Sequence, residues 1–192
     1  MQNAATATTQ TEKPYITPQV PAGDEERVSA ILGQMEEHLG FVPDGLKLFG
    51  MSPPLLESFV GNIGYFAMGG TALRPELTAM IRYLVSSEAA CQYCIDLNEG
   101  FLSNMGVDLD RVREARSNPD KAPFTDKEKT LLKLAVKSVD TSKTVTEADI
   151  INARQQGWGD REIFDAIIQA ANNRAFNHVL RAFNIEHQGA FA

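Results

Sequence analysis

The sequence predicts an all-α fold, and three observations predict it. Apolar residues recur at steps of three and four along most of the chain, helix start and stop signals bracket those stretches, and no stretch alternates with period two between hairpin turns. Hydrophobic residues make up 43% of the 192, enough for a packed core and too many for a disordered chain. A chain of this length suits one domain with an appendage. Residues 1–13 are polar, Thr/Ala-rich and aperiodic, so a flexible arm is expected there and a single helical domain over 14–192.

The elements follow in order. Pro14 to Pro21 is expected to be extended along a surface groove, because proline fixes φ and biases its predecessor away from the helix. Asp24 is placed to cap a helix with Val28, Ile31, Leu32, Met35 and Leu39 on its apolar side, and Gly40 to end it. A turn at Phe41–Asp44 leads into a short helix through Leu46, Leu48 and Phe49. Ser52-Pro53 starts another, through Leu56, Phe59, Val60 and Ile63, which Gly69-Gly70 breaks. Pro75 opens a helix with Leu77, Met80, Ile81, Leu84 and Val85 inward. A helix with Phe101, Leu102 and Met105 comes next and ends at Gly106. Residues 117–120 read as a loop. Thr125…Glu128 is a capping box and Thr146…Asp149 a similar one. After the turn at Gly157–Asp160, the last helix carries Phe164, Ile167, Ile168, Ala171, Ala175, Val179 and Phe183. This makes about seven to nine helices.

Composition narrows the function classes. The net charge is -7 and no basic cluster stands out, so nucleic acid is not an expected partner. No apolar run reaches the length of a membrane span, and membrane is not an expected partner either. The first thirteen residues lack a basic n-region and an apolar h-region, so no secretory signal is expected and a cytoplasmic location is the default.

Both cysteines lie in one stretch, Glu88-Ala-Ala-Cys91-Gln-Tyr-Cys94-Ile-Asp-Leu-Asn98. Two thiols at that spacing on one helical turn can close into a disulfide with little backbone movement. Unpaired N–H groups in a first helical turn also lower a thiol pKa. The alternative readings are two buried core cysteines and half of a zinc site. No second CxxC exists and His38, His178 and His187 are scattered, so no metal is expected.

On a helix Asn98 shares a face with Cys94 and Cys91. It can orient a thiol or substrate but cannot exchange a proton near neutral pH; its plain reading is a helix-surface amide. Glu88 is a candidate base, or a like charge that raises a thiol pKa, and reads equally as a solvated surface charge. Tyr93 points to another side of the turn and is read as packing. His178, with Asn172, Arg174 and Asn177, is read as a satisfied structural histidine in a polar network, and Arg82 as an ion-paired charge in an apolar helix.

Leu73-Arg-Pro-Glu-Leu-Thr-Ala79 followed by Cys91-Gln-Tyr-Cys94 resembles the core motif of the AhpD-like alkylhydroperoxidase and carboxymuconolactone decarboxylase superfamily. Leu39-Gly-Phe-Val-Pro43, Ser52-Pro-Pro-Leu-Leu56, Phe124-Thr-Asp-Lys-Glu-Lys, Val145-Thr-Glu-Ala-Asp149, Gly157-Trp-Gly-Asp-Arg-Glu-Ile163 and the Asn-rich last helix resemble its peroxidase-related branch. The resemblance covers all but about the first dozen residues. It implies an AhpD-like helical fold, homo-oligomers, no organic cofactor or metal, a small-molecule hydroperoxide as substrate and a thiol protein as reductant. It assigns Cys94 as the peroxidatic thiol and Cys91 as the resolving one. The family's relay glutamate and histidine positions are Ala79 and Asn98 here, and its frequent glycine before the first cysteine is Ala90. The dithiol is kept while its acid–base equipment is altered, which implies weak peroxidase activity unless Glu76 or Glu88 substitutes. The alternatives are an inactive member that binds a small molecule or partner or senses redox state, and a lyase like the decarboxylase branch, which does not need the CxxC.

Overall fold

The computed structural model describes residues 13–185. Over these the chain runs as α1 (Glu25–Leu39), α2 (Asp44–Phe49), α3 (Pro53–Ala67), α4 (Pro75–Glu88), α5 (Gln92–Asn104), α6 (Leu109–Glu114), α7 (Asp126–Val139), α8 (Glu147–Gln155) and α9 (Asp160–Ala182). No strand occurs among the described residues. The arm expected over residues 1–13 lies outside them, except for Lys13.

The helix that the others pack on is α4. Nearly every residue from Leu77 to Ser86 is buried, so the helix is apolar on all sides except at Arg82, as a central helix must be. It packs broadly against α5, α7 and α9. Its core neighbours include Leu102, Leu131, Leu132, Ala135, Ala166 and Ala170. A second layer, α1 to α3, has its own smaller core around Val28, Leu46 and Leu56. That layer touches α4 sparsely. It is tied to the rest by the buried Asp165 carboxylate on α9, which accepts from Tyr65 Oη of α3 at 3.0 Å and from Thr71 Oγ1 at 2.7 Å.

Most start and stop signals act as the sequence predicts. The Thr125–Glu128 capping box is formed in both directions, and the Asp149 carboxylate accepts from Thr146 N at 2.7 Å. Gly40 and Gly106 follow their helices with positive φ. Some expectations are corrected. Asp24 and Ser52 stand at N-cap positions, but neither side chain makes a capping bond; the Pro53 ring, with φ preset, starts α3. Residues 117–120 are not plain loop, since Asn118 caps a 3-10 turn over Pro119–Lys121. Helix α6 was not expected, because six residues are too few to show a period; Asp108 marks it, accepting from Asp110 N and Arg111 N.

On α9 the predicted apolar stripe is wrong at Phe164, which is 58% exposed. His178 is exposed, not a buried structural histidine. The Pro14–Pro21 segment is extended and starts along the end of α9, where Tyr15 N donates to Phe183 O at 3.0 Å and Asn184 Nδ2 to Lys13 O at 3.1 Å.

Candidate functional site

The two cysteines are delivered by a helix junction. Helix α4 ends in a Schellman turn: Cys91 N donates to Ser86 O at 3.0 Å and Ala90 N to Ser87 O at 3.1 Å. The turn requires a left-handed residue, and Ala90 takes that conformation with φ +50°. The chain then re-enters a helix at once, with Cys91 as the N-cap of α5 and Cys94 in its first turn. The CxxC therefore sits where free N–H groups converge.

Both thiols are free and buried, and they are hydrogen-bonded to each other. The Cys91 thiol is held below the ordinary thiol range: the bond from Cys94 does most, burial opposes it, and the Cys94 N–H, Asn177 and the nearby Arg181 charge add to it. The Cys94 thiol is pushed well up by the same bond, by burial and by the neighbouring charge on Cys91, with Asn177 and Ser86 opposing. Of the two, Cys91 is the sulfur that gives up its proton more readily, and Cys94 the one that keeps it.

Beneath them lies a polar network that the sequence only hinted at. Asn173 and Asn177 of α9 both donate to Ser86 Oγ of α4, at 3.0 and 3.1 Å, and Asn173 also donates to Arg82 O at 3.0 Å. The sequence points to Asn177 through its polar neighbours on the last helix, but not to Ser86 or Asn173. The signal available was the run of amides at steps of four on a helix otherwise made for a core.

Cys94 opens onto a cavity of about 370 Å³ between the two layers. Its walls are four stripes at helical spacing: Phe59, Asn62, Ile63 and Phe66 from α3; Thr78 and Arg82 from α4; Cys94, Leu97, Asn98 and Phe101 from α5; Gln169, Asn173 and Phe176 from α9. Phe176 packs with its ring tilted against Phe59 and Phe49, ring centroids 4.7 and 5.9 Å away. A side chain at Gly45 would come within 2.5 Å of the Phe176 ring, so glycine is what lets α2 close that end. Cys91 is not part of the cavity wall. Cavity access and thiolate preference therefore fall on different cysteines.

Asn98 is no surface amide. It is 3% exposed, accepts from Arg82 Nε at 2.7 Å and donates to Cys94 O at 2.8 Å. Arg82, expected to be ion-paired, makes no ion pair among the described residues. Burial pulls its pKa down to about 10, and the nearest opposing influence is the Cys94 sulfur. Glu88 is exposed. Burial at the end of α4 and Asp140 raise its pKa, against Lys143 and Arg174, and its charge neighbours do not include the thiols. Glu76 pairs with Arg74 at 3.5 Å, away from the cavity wall. Tyr93 does pack, buried at the cavity edge, and its hydroxyl accepts from Gly45 N at 3.3 Å. No group of three His, Cys, Asp or Glu side chains among the described residues is placed to hold a metal. No helix among them is long and apolar enough to cross a membrane.

No protein-family model matches the sequence, and no curated protein does. Solved structures match over nearly the whole chain. An uncharacterized peroxidase-related protein from Silicibacter sp. TM1040 superposes with a TM-score of 0.84 at 22% identity, covering 96% of this chain and 97% of its own. A peroxidase-related protein with an alkylhydroperoxidase AhpD core from Ralstonia eutropha JMP134 gives 0.79 at 20% identity, over 93% and 94% of the two chains. The debrominase Bmp8 gives 0.75 at 19% identity, over 91% and 92%. Likeness at these identities is likeness of fold: the chain has the all-helical fold of the AhpD-like peroxidase-related proteins.

Proposed function

We propose that the protein is a dithiol oxidoreductase in which Cys94 reacts with a hydroperoxide held in the cavity and Cys91 resolves the product to a disulfide. The observation that carries this reading is that Cys94 forms part of the cavity wall while hydrogen-bonded to a second thiol behind it. Because ionisation favours Cys91, the singly ionised pair must first pass its remaining proton from Cys94 to Cys91. The Cys94 thiolate then attacks the terminal peroxide oxygen and the O–O bond breaks. Cys94 becomes a sulfenic acid, and the alkoxide leaves with the Cys91 proton as an alcohol. The Cys91 thiolate attacks the Cys94 sulfur, the S–S bond forms, and hydroxide departs to be protonated by solvent. The dithiol supplies both electrons, and an external thiol protein restores them.

Asn98 can only orient groups in this sequence, so proton transfer falls to the sulfurs and solvent. General acid–base help is worth a factor of about a hundred to ten thousand, and slow turnover is the expected consequence. Ala79 is fully buried in the main core and offers no substitute.

A second reading is favoured by the apolar walls around Cys94 and the fold shared with a debrominase. One thiolate, one thiol and an aryl bromide would give arene, disulfide and bromide in balance. Stopped-flow thiol titration with a hydroperoxide panel and 2,3,4-tribromopyrrole tests both readings. The wild type is expected to lose both thiols and two hydrogens within one peptide. Cys94→Ser should be inert, and Cys91→Ser should stop at a sulfenic acid trappable by dimedone. Thiols that persist through every oxidant, diamide included, overturn the dithiol reading.

A further inference from the structure

Among the described residues, the cavity wall holds a cation and no carboxylate. Arg82 is the charged side chain among the described residues that line it. A cation in an apolar surround is costly unless it is paired, yet its nearest partner is the neutral Asn98 amide. That bond uses one of five guanidinium N–H donors, and the fork that remains matches a carboxylate. The adjoining wall on α9 offers a complementary oddity: Gln169 is 6% exposed, and its Oε1 has no hydrogen-bond partner. It is an acceptor available to an O–H or N–H group on a bound molecule. The rings of Phe59, Phe101 and Phe176 line the same cavity, in a volume within the range that encloses small organic ligands.

We propose that the cavity binds an apolar organic monoanion, its carboxylate on Arg82 and its hydrocarbon or aromatic body against the three phenylalanines, beside Cys94. That this ligand is also the substrate rests on the dithiol reading above; that it binds does not. A half-buried guanidinium with a bidentate carboxylate is a charge-assisted contact, and a charged hydrogen bond contributes about 1.5–3 kcal/mol, roughly ten- to a hundred-fold in affinity.

The test is titration calorimetry of octanoate against octanamide, which share a body and differ in charge. It is run on the Cys91→Ser/Cys94→Ser protein, so that neither thiolate nor oxidation interferes. Octanoate is expected to bind at least about tenfold tighter than octanamide. Arg82→Gln should erase the difference and Arg82→Lys retain part of it. Asn98→Asp, which gives Arg82 an internal carboxylate, should erase it while Arg82 remains. Equal binding of the two probes overturns the proposal without any Arg82 variant, as does a preference that survives in folded Arg82→Gln. Preference in a protein whose wild-type thiols persist through every oxidant keeps the anion site and sinks the dithiol reading; turnover without preference does the reverse.

Discussion

Cys91 closes the cap of α4 and opens α5, and this double placement biases the proton shared with Cys94. The largest cause of its depressed pKa is the hydrogen bond from Cys94, ahead of Asn177 and Arg181. Cys94→Ala removes that donor and should raise the Cys91 pKa toward the ordinary thiol value, while Cys94→Ser keeps a donor and should shift it less. The sign carries over to stability. A folded-state pKa below the unfolded one stabilises fully above the unfolded value, near 8.5, and that stabilisation fades as pH falls through the folded value. Cys94→Ala should shrink this contribution at alkaline pH. Thiolate absorbance in the ultraviolet, followed against pH, checks the shift. An unchanged Cys91 titration in Cys94→Ala would assign the depression to the helix terminus and Arg181 instead. The cysteines and Asn98 were legible in the sequence because one helix turn sets their spacing. Their partners were not, since Arg82, which bonds to Asn98, and Ser86 and Asn177, which act on the thiols, come from other helices and nothing in a linear pattern pairs them.

Among the elements, the junction between α4 and α5 carries the local strain. Ala90 is left-handed with φ +50°, a conformation that costs a residue with a Cβ about 1–2 kcal/mol and glycine little. Glycine at that place also loses more backbone freedom on folding, which offsets about 0.4–1 kcal/mol. Ala90→Gly is therefore expected to stabilise the fold by up to about 1 kcal/mol, read as a higher denaturation midpoint with unchanged slope. A lower midpoint would mean that the loss of chain stiffness outweighs the relief. The long capped helices were legible because caps and periodicity agreed, as at Thr125–Glu128 for α7. Helix α6 was hidden by its length. The Phe176, Leu180 and Phe183 face of α9 is largely used inside the chain. Phe176 packs on Phe49 and Phe59, and Leu180 is fully buried with the thiols.

Across the whole molecule, the cavity lies on the seam between two unequal layers. The lower layer, α4, α5, α7 and α9, shares the large continuous core, whereas α1 to α3 hold a small core and meet α4 sparsely. Local opening free energy follows buried apolar contact, so the upper layer should open first. Helix α1 reinforces this: Val28 is its buried residue, and its Arg27–Glu57 ion pair to α3 is exposed on both sides, of a kind worth little. Native-state hydrogen exchange is expected to show amides of α1 and of the exposed side of α3 exchanging through low-energy openings, and those of α4 and α9 only near global unfolding. Octanoate in the cavity would bridge Arg82 below and Phe59 above, and should slow α3 exchange while leaving α7 unchanged. Uniform protection across both layers would rule out α1 to α3 as the moving wall. The ligand would then have to enter past the Leu39 and Pro43 edge of the cavity, and bulky substitutions at Leu39 would slow binding where substitutions on α3 do not.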